Sequence, residues 1–135
     1  TYLDEIQITA GKALLQPHVS YLKPLDGLLD SGWIKGLAHI TGGGLTDNIP
    51  RILPEHAAAE IEKGSWPMPP VFKLMQRLGN VSEAEMYRTF NMGVGMIVVC
   101  ASENQRAVTS HFSDQKIACF QVGRIVQGER TVNFI

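Results

Sequence analysis

Apolar residues change their spacing along the chain, and the changes divide it into elements. Residues 1–18 are weakly patterned and end at Pro17-His18, so they are expected to be a connecting arm. From Tyr21 to Ser31, Leu22, Leu25, Leu28 and Leu29 recur at helical spacing. Pro24 is tolerable only in a first turn and Gly32 stands where a C-terminal cap belongs, so the spacing predicts a helix over 21–31. Ile34 to Ile40 reads as a strand that runs into Thr41-Gly42-Gly43-Gly44, and Leu45 to Leu53 reads as a helix kinked or ended by Pro50.

Ala57 to Glu62 suits a short strand, and the proline-rich stretch Lys63–Pro70 suits a loop within one domain. Pro70 can open a helix carrying Val71, Leu74, Met75 and Leu78, which stops at Gly79-Asn80. Ser82 and Glu85 form a capping box for a short helix from Glu83 to Arg88. Met96 to Cys100 is the most β-rich run and is expected to be a buried central strand. A helix over Glu103–His111 follows, then a strand over Ile117–Val126 with a bulge at Gly123. A turn at Gln127-Gly128-Glu129 and an edge strand over Thr131–Phe134 complete an expected hairpin. The pattern predicts one α+β domain spanning 1–135, a mixed sheet with helices packed on it.

Composition narrows the function without naming it. The chain is 44% hydrophobic and 19% charged, with a net charge of −1. Its charges form no basic stripe, so nucleic acid is not expected as a partner. The longest apolar run, Val94–Ala101, is far short of a membrane span, so no membrane is expected either. Cys100 and Cys119 lie in apolar surroundings without a CxxC pair and read as buried reduced thiols, which fits a cytoplasmic protein. The first residue is not Met and no signal pattern follows it, which suggests a piece of a longer chain.

Glycines between a strand and a helix leave backbone N–H groups unobstructed where an anion is favoured. Thr41 and Gly42, Gly43 and Gly44 are therefore candidates for a phosphate cradle, although the same glycines could serve a tight turn. The loop is neither a Walker loop nor a dinucleotide fingerprint. Asn48 and Arg51 follow within two helical turns and could add an amide and a guanidinium. His39 immediately precedes the loop and is the candidate acid, base or orienting group. A second loop, Arg88 to Gly95, offers Arg88, Asn91, Gly93 and Gly95, either for close approach to a ligand or as a bulge. His18, His56 and His111 show no metal-ligand spacing, and no serine has a nucleophile-elbow context.

The stretch Ala38-His39-Ile40-Thr41-Gly42-Gly43-Gly44-Leu45, followed by Asn48-Ile49-Pro50-Arg51-Ile52-Leu53-Pro54, resembles the signature of aminoimidazole ribonucleotide synthetase, or phosphoribosylformylglycinamidine cyclo-ligase. The resemblance extends through Gly64-Ser65-Trp66, Pro70-Val71-Phe72, Gly79–Glu83 and Glu85–Met96, and covers roughly residues 12 to 126. The family's chain is longer, and these residues resemble only its C-terminal domain. The likeness implies an α+β fold with partly ferredoxin-like topology. It also implies an ATP-dependent ring closure of formylglycinamidine ribonucleotide, with ATP and Mg bound mainly by an N-terminal domain, and a homodimer in the complete enzyme.

By the same likeness, Thr41 to Gly44 would cradle phosphate or substrate, Asn48 would support them, Asn91 to Gly95 would form a second cleft wall, and His39 would handle or orient a proton. Pro17-His18-Val19-Ser20-Tyr21 departs from the family's usual Pro-Thr-Arg/His-Ile-Tyr, which puts any substrate contact there in doubt. Two other readings compete. One is a non-catalytic binding or interaction module whose glycine loops serve packing. The other is a different ATP-dependent enzyme of the same superfamily, disfavoured because such relatives carry Asp-containing loops in place of His-Ile-Thr-Gly-Gly-Gly.

Overall fold

The N-terminal residues carry structure of their own in the computed structural model, which describes residues 1–135. Two short antiparallel strands, β1 (Tyr2–Leu3) and β2 (Ile8–Thr9), precede a helix α1 (Ala10–Leu14) capped by the Thr9 hydroxyl. The expected arm is thus reduced to the segment between α1 and Tyr21. The helix expected over 21–31 contracts to α2 (Leu22–Leu25), and the chain then turns through Gly27 and Gly32, both left-handed. Leu25 and Leu28 are buried, whereas Leu22 and Leu29 are exposed. The leucine spacing therefore fixes only part of one face, and extended Asp26 followed by left-handed Gly27 ends the helix early.

Strand β3 (Ile34–His39) pairs antiparallel with β5 (Met96–Cys100), joining His39 to Met96 and Ile34 to Cys100. Between them lie α3 (Gly44–Asn48), β4 (Ala57–Ile61), α4 (Pro70–Gly79) and α5 (Glu83–Thr89). The expected helix over 45–53 is one α-turn that tightens into a 3₁₀ turn over Ile49–Ile52, since Pro50 removes an amide from the ladder. α4 begins with proline and ends at left-handed Asn80, and Ser82 caps α5 by accepting from the Glu85 amide. After β5 come a 3₁₀ turn over Ser102–Asn104, α6 (Gln105–Asp114), β6 (Gly123–Gln127) and β7 (Val132–Phe134).

The C-terminal strands do not form the expected hairpin. β6 and β7 flank β4 on opposite sides, antiparallel and parallel respectively, giving a mixed three-stranded sheet. The short alanine-rich run is therefore the centre of that sheet, and three alanines and Ile61 are buried there. β5, read as a central strand, pairs only with β3, and of its residues only Ile97 is fully buried. Residues 117–122 stay irregular. Gly123 makes no bulge; it lies against the Glu60 carbonyl in an uninterrupted register, and the irregular pairing falls instead between Ile34 and Gly36.

Two apolar cores result. The larger holds Ile40, Leu45, Ile49, Ile61, Trp66, Met86, Tyr87 and Met92, side chains whose burial stabilises the fold by roughly 1.5–3 kcal/mol each for those of Leu, Ile or Met size. The smaller joins Leu25 and Leu28 to Val108 and Phe112 of α6. A cavity of about 710 Å³ separates β5 from the 117–125 segment, and both cysteines, free and part-buried, line it. Burial pushes both thiols above the ordinary cysteine range.

Candidate functional site

β3 ends in the first core and delivers its last residues to the surface. Ala38 and Ile40 are buried and His39 between them is exposed, as strand alternation requires. The Ile40 amide donates to the Gly95 carbonyl at 2.9 Å, which ties the end of β3 to the start of β5. Beyond Ile40 the chain turns at once. Gly44 N–H donates to the Thr41 carbonyl at 3.0 Å, and Gly43 sits at φ 100°, a backbone state that favours glycine.

The three loop glycines have different tasks. A Cβ at Gly44 would strike the Tyr87 carbonyl and lie 2.6 Å from the Phe90 carbonyl, so Gly44 is what lets the loop pack on the end of α5. A Cβ at Gly43 would meet Asp47 Cβ at 2.7 Å. At Gly42 it would meet nothing within 4 Å, and the residue is exposed. The amides of Thr41, Gly42 and Gly43 donate to no backbone carbonyl, and they belong to exposed or half-buried residues. Because α3 spans only five residues, these loop amides carry the positive potential and the helix dipole adds little.

Asn48 makes the loop rigid. It is 4% exposed, and its Nδ2 donates to the carbonyls of Thr41, Gly42 and Gly44 at 3.2, 3.2 and 2.8 Å. Three loop carbonyls are thereby drawn inward. The Asn48 amide nitrogen is occupied by the loop itself, so this residue braces the loop from within. Its Oδ1 faces the Thr41 hydroxyl at 3.4 Å.

Arg88 comes to the same place from α5. Its Nε lies 3.7 Å from Asp47 Oδ2, and both groups are substantially exposed, so the guanidinium stands beside the loop on a weak tether. Arg51 is exposed on the 3₁₀ turn and makes no ion pair or hydrogen bond. The second loop abuts the first through Phe90. There Asn91 Oδ1 accepts from the Gly93 amide at 2.9 Å, an Asx turn, and Trp66 Nε1 donates to the Met92 carbonyl at 2.9 Å. Gly93 packs on Pro69, and Gly95 packs on the Tyr21 hydroxyl. Thus the Thr41–Gly44 loop stands with Asn48 beneath it and Arg88 tethered beside it through Asp47, while His39, two residues before the loop, presents its ring to His18 and Tyr21. Asn91, Gly93 and Gly95 lie in the abutting second loop, and Arg51 stands apart.

Sequence reasoning left out Asp47, and it noted His18 and Tyr21 only as part of a segment that departs from the family's pattern. Tyr21 and His18 meet His39 ring to ring, and burial raises the Tyr21 phenol above its usual range. Asp47 underlies Gly43 and pairs with Arg88. Only the i+4 spacing of Asp47 from Gly43 signalled any of this. No cluster of three or more His, Cys, Asp or Glu side chains suited to a metal ion occurs, and no helix is long and apolar enough to cross a membrane.

The phosphoribosylformylglycinamidine cyclo-ligase of Syntrophotalea carbinolica is 42% identical over 98% of this chain, which covers 39% of that protein. The enzymes of the same name from Neisseria gonorrhoeae and, in its chloroplastic form, Arabidopsis thaliana are 45% and 42% identical over 87% and 90% of the chain, which covers 34% and 31% of them. The chain therefore spans 31% to 39% of the length of these relatives. A thiamine-monophosphate kinase from Stenotrophomonas maltophilia superposes with a TM-score of 0.55 at 13% identity, covering 76% of this chain and 32% of its own, a likeness of α+β fold alone. The family model described as "AIR synthase related protein, C-terminal domain" matches residues 2–134, and the chain belongs to that family.

Proposed function

We propose that this chain is the C-terminal domain of an ATP-dependent cyclo-ligase that converts formylglycinamidine ribonucleotide to aminoimidazole ribonucleotide in purine biosynthesis. The observation that carries the reading is the loop itself: three unpaired amides at Thr41, Gly42 and Gly43, braced by Asn48, with Arg88 beside it and His39 just before it in sequence, in a chain of this family. ATP would transfer its terminal phosphoryl group to the formyl amide oxygen. An amidine nitrogen then attacks that carbon, the C–O bond breaks, and inorganic phosphate leaves with the oxygen. Throughout, negative charge is carried on phosphoryl oxygens, and fixed N–H donors stabilise it without reorganising.

In this reading the loop amides and Arg88 receive a phosphate, and the exposed imidazole of His39 orients or takes a proton at the amidine nitrogen. Arg51, Asn91, Gly93 and Gly95 serve by holding neighbouring backbone or by distant charge. The reaction also needs ATP and its Mg. We assign them mainly to the further length the relatives possess, an N-terminal domain that would close the other side of the cleft, in a cytoplasmic homodimer. The test is turnover. The full-length protein should form aminoimidazole ribonucleotide from the amidine and ATP, and residues 1–135 alone should form none. A full-length protein without turnover overturns the reading, and turnover by 1–135 alone overturns the division of labour.

A further inference from the structure

Three aromatic rings from two parts of the chain, His18 and Tyr21 before α2 and His39 on β3, meet at the end of the β3/β5 ribbon. The His18 ring lies 5.3 Å from that of His39 at 89°, and 6.1 Å from that of Tyr21 at 80°. Tyr21 in turn stands 6.1 Å from His39 at 67°. All three pairs are edge-on, the arrangement in which the positive rim of one ring meets the negative face of another.

Two of the rings are held by the fold. Tyr21 is half-buried against the Leu25–Leu28–Val108–Phe112 core, and its hydroxyl rests on Gly95, where any Cβ would strike it. His18 Nδ1 donates to the Val19 carbonyl at 2.8 Å; because a carbonyl only accepts, the proton on that ring sits at Nδ1. His39 lacks such a tether. No hydrogen bond holds its imidazole, and its backbone lies at the last paired position of β3. What restricts rotation of the His39 ring is the pair of edge-on rings beside it.

We propose that His18 and Tyr21 are positioning residues for His39, two ring walls that fix the orientation of its imidazole beside the Thr41–Gly44 loop. This rests on the reading of His39 given above and adds to it the groups through which that residue is aimed. His18 itself touches no reacting atom. Its contribution is one wall, and a ring of any chemistry with the same shape serves, whereas a methyl group does not.

The experiment compares His18→Ala and His18→Phe in the full-length protein. His18→Ala should lower kcat about tenfold with KM changed less than about twofold, because a group aimed loosely loses productive geometry and not substrate affinity. His18→Phe should restore kcat to within about twofold of the parent. In parallel, with ring-labelled histidine, the His39 signal, identified by its loss in His39→Ala, should move toward the free-imidazole position in His18→Ala and return in His18→Phe. Parental kcat in His18→Ala, or a loss that His18→Phe leaves uncorrected, overturns the proposal. If His39→Ala itself has parental kcat, the role of His39 fails and the resonance alone decides: an unmoved His39 signal in His18→Ala overturns the positioning, and a moved one supports it.

Discussion

Replacing Gly42 with valine separates the two tasks that loop glycines can have. At this position the backbone is outside the left-handed region, the residue is exposed, and a Cβ would meet nothing within 4 Å. The change should therefore alter folding stability by no more than about 0.5 kcal/mol, the range of ordinary surface substitutions. A branched side chain beside the unpaired amides would nevertheless keep a phosphate oxygen from its closest approach. Losing one hydrogen bond to a charged group costs about 1.5–3 kcal/mol. That corresponds to a fall of roughly 10- to 150-fold in kcat/KM. The assay measures aminoimidazole ribonucleotide formation and thermal midpoint on the same full-length preparation. Gly44→Ala is the contrasting variant, since its Cβ must displace the Tyr87 and Phe90 carbonyls and should cost about 1–3 kcal/mol of stability. Parental kcat/KM in a well-folded Gly42→Val protein would refute the cradle and leave the glycines as turn residues.

Asn48→Ala should destabilise by about 1–3 kcal/mol in urea unfolding, because the carbonyls of Thr41, Gly42 and Gly44 lose the donor that ties them together, and Thr41 keeps only the Gly44 amide. Arg88→Ala should leave stability within about 0.5 kcal/mol, since its pair with Asp47 is exposed, while raising KM for the phosphorylated substrate several-fold. His39→Ala should lower kcat by about 10²-fold at unchanged thermal midpoint, the scale of losing a general acid or base; a fall in midpoint with kcat per folded molecule intact would make His39 structural.

Local signals reported local structure well. The Ser82–Glu85 capping box and the Pro70 and Gly79-Asn80 boundaries placed α4 and α5 closely, because caps and breakers act within one turn. Pairing across the sheet was not legible. Val132–Phe134 and Gly123–Gln127 are close in sequence, yet both pair with β4, whose small alanines allow a strand and its neighbours to pack tightly at the core. A hairpin reading of the C-terminus could not detect that preference. At the candidate site, strand, glycine loop and helix were readable in order, and His39 and Arg88 were singled out by position and charge. The inward turn of Asn48 was not, since an asparagine that binds a ligand and one that braces a loop look alike in sequence. The meeting of the His18 and Tyr21 rings with His39 lay beyond reach: the Pro17–Tyr21 segment stood out only as a departure from the family's usual residues, and nothing in its spacing tells which strand end it crosses.

The central claim is that the amides of Thr41, Gly42 and Gly43 receive phosphate, and amide hydrogen exchange on the full-length protein tests it most directly. Without a partner in the fold, these three amides should exchange rapidly in the free protein. On adding formylglycinamidine ribonucleotide with a non-hydrolysable ATP analogue, millisecond exchange should slow at Thr41–Gly43 in the parent, and not at residue 43 in a Gly42→Val protein. Saturating ligand that leaves the loop exchanging at its free rate, with protection confined to other parts of the molecule, would contradict the account.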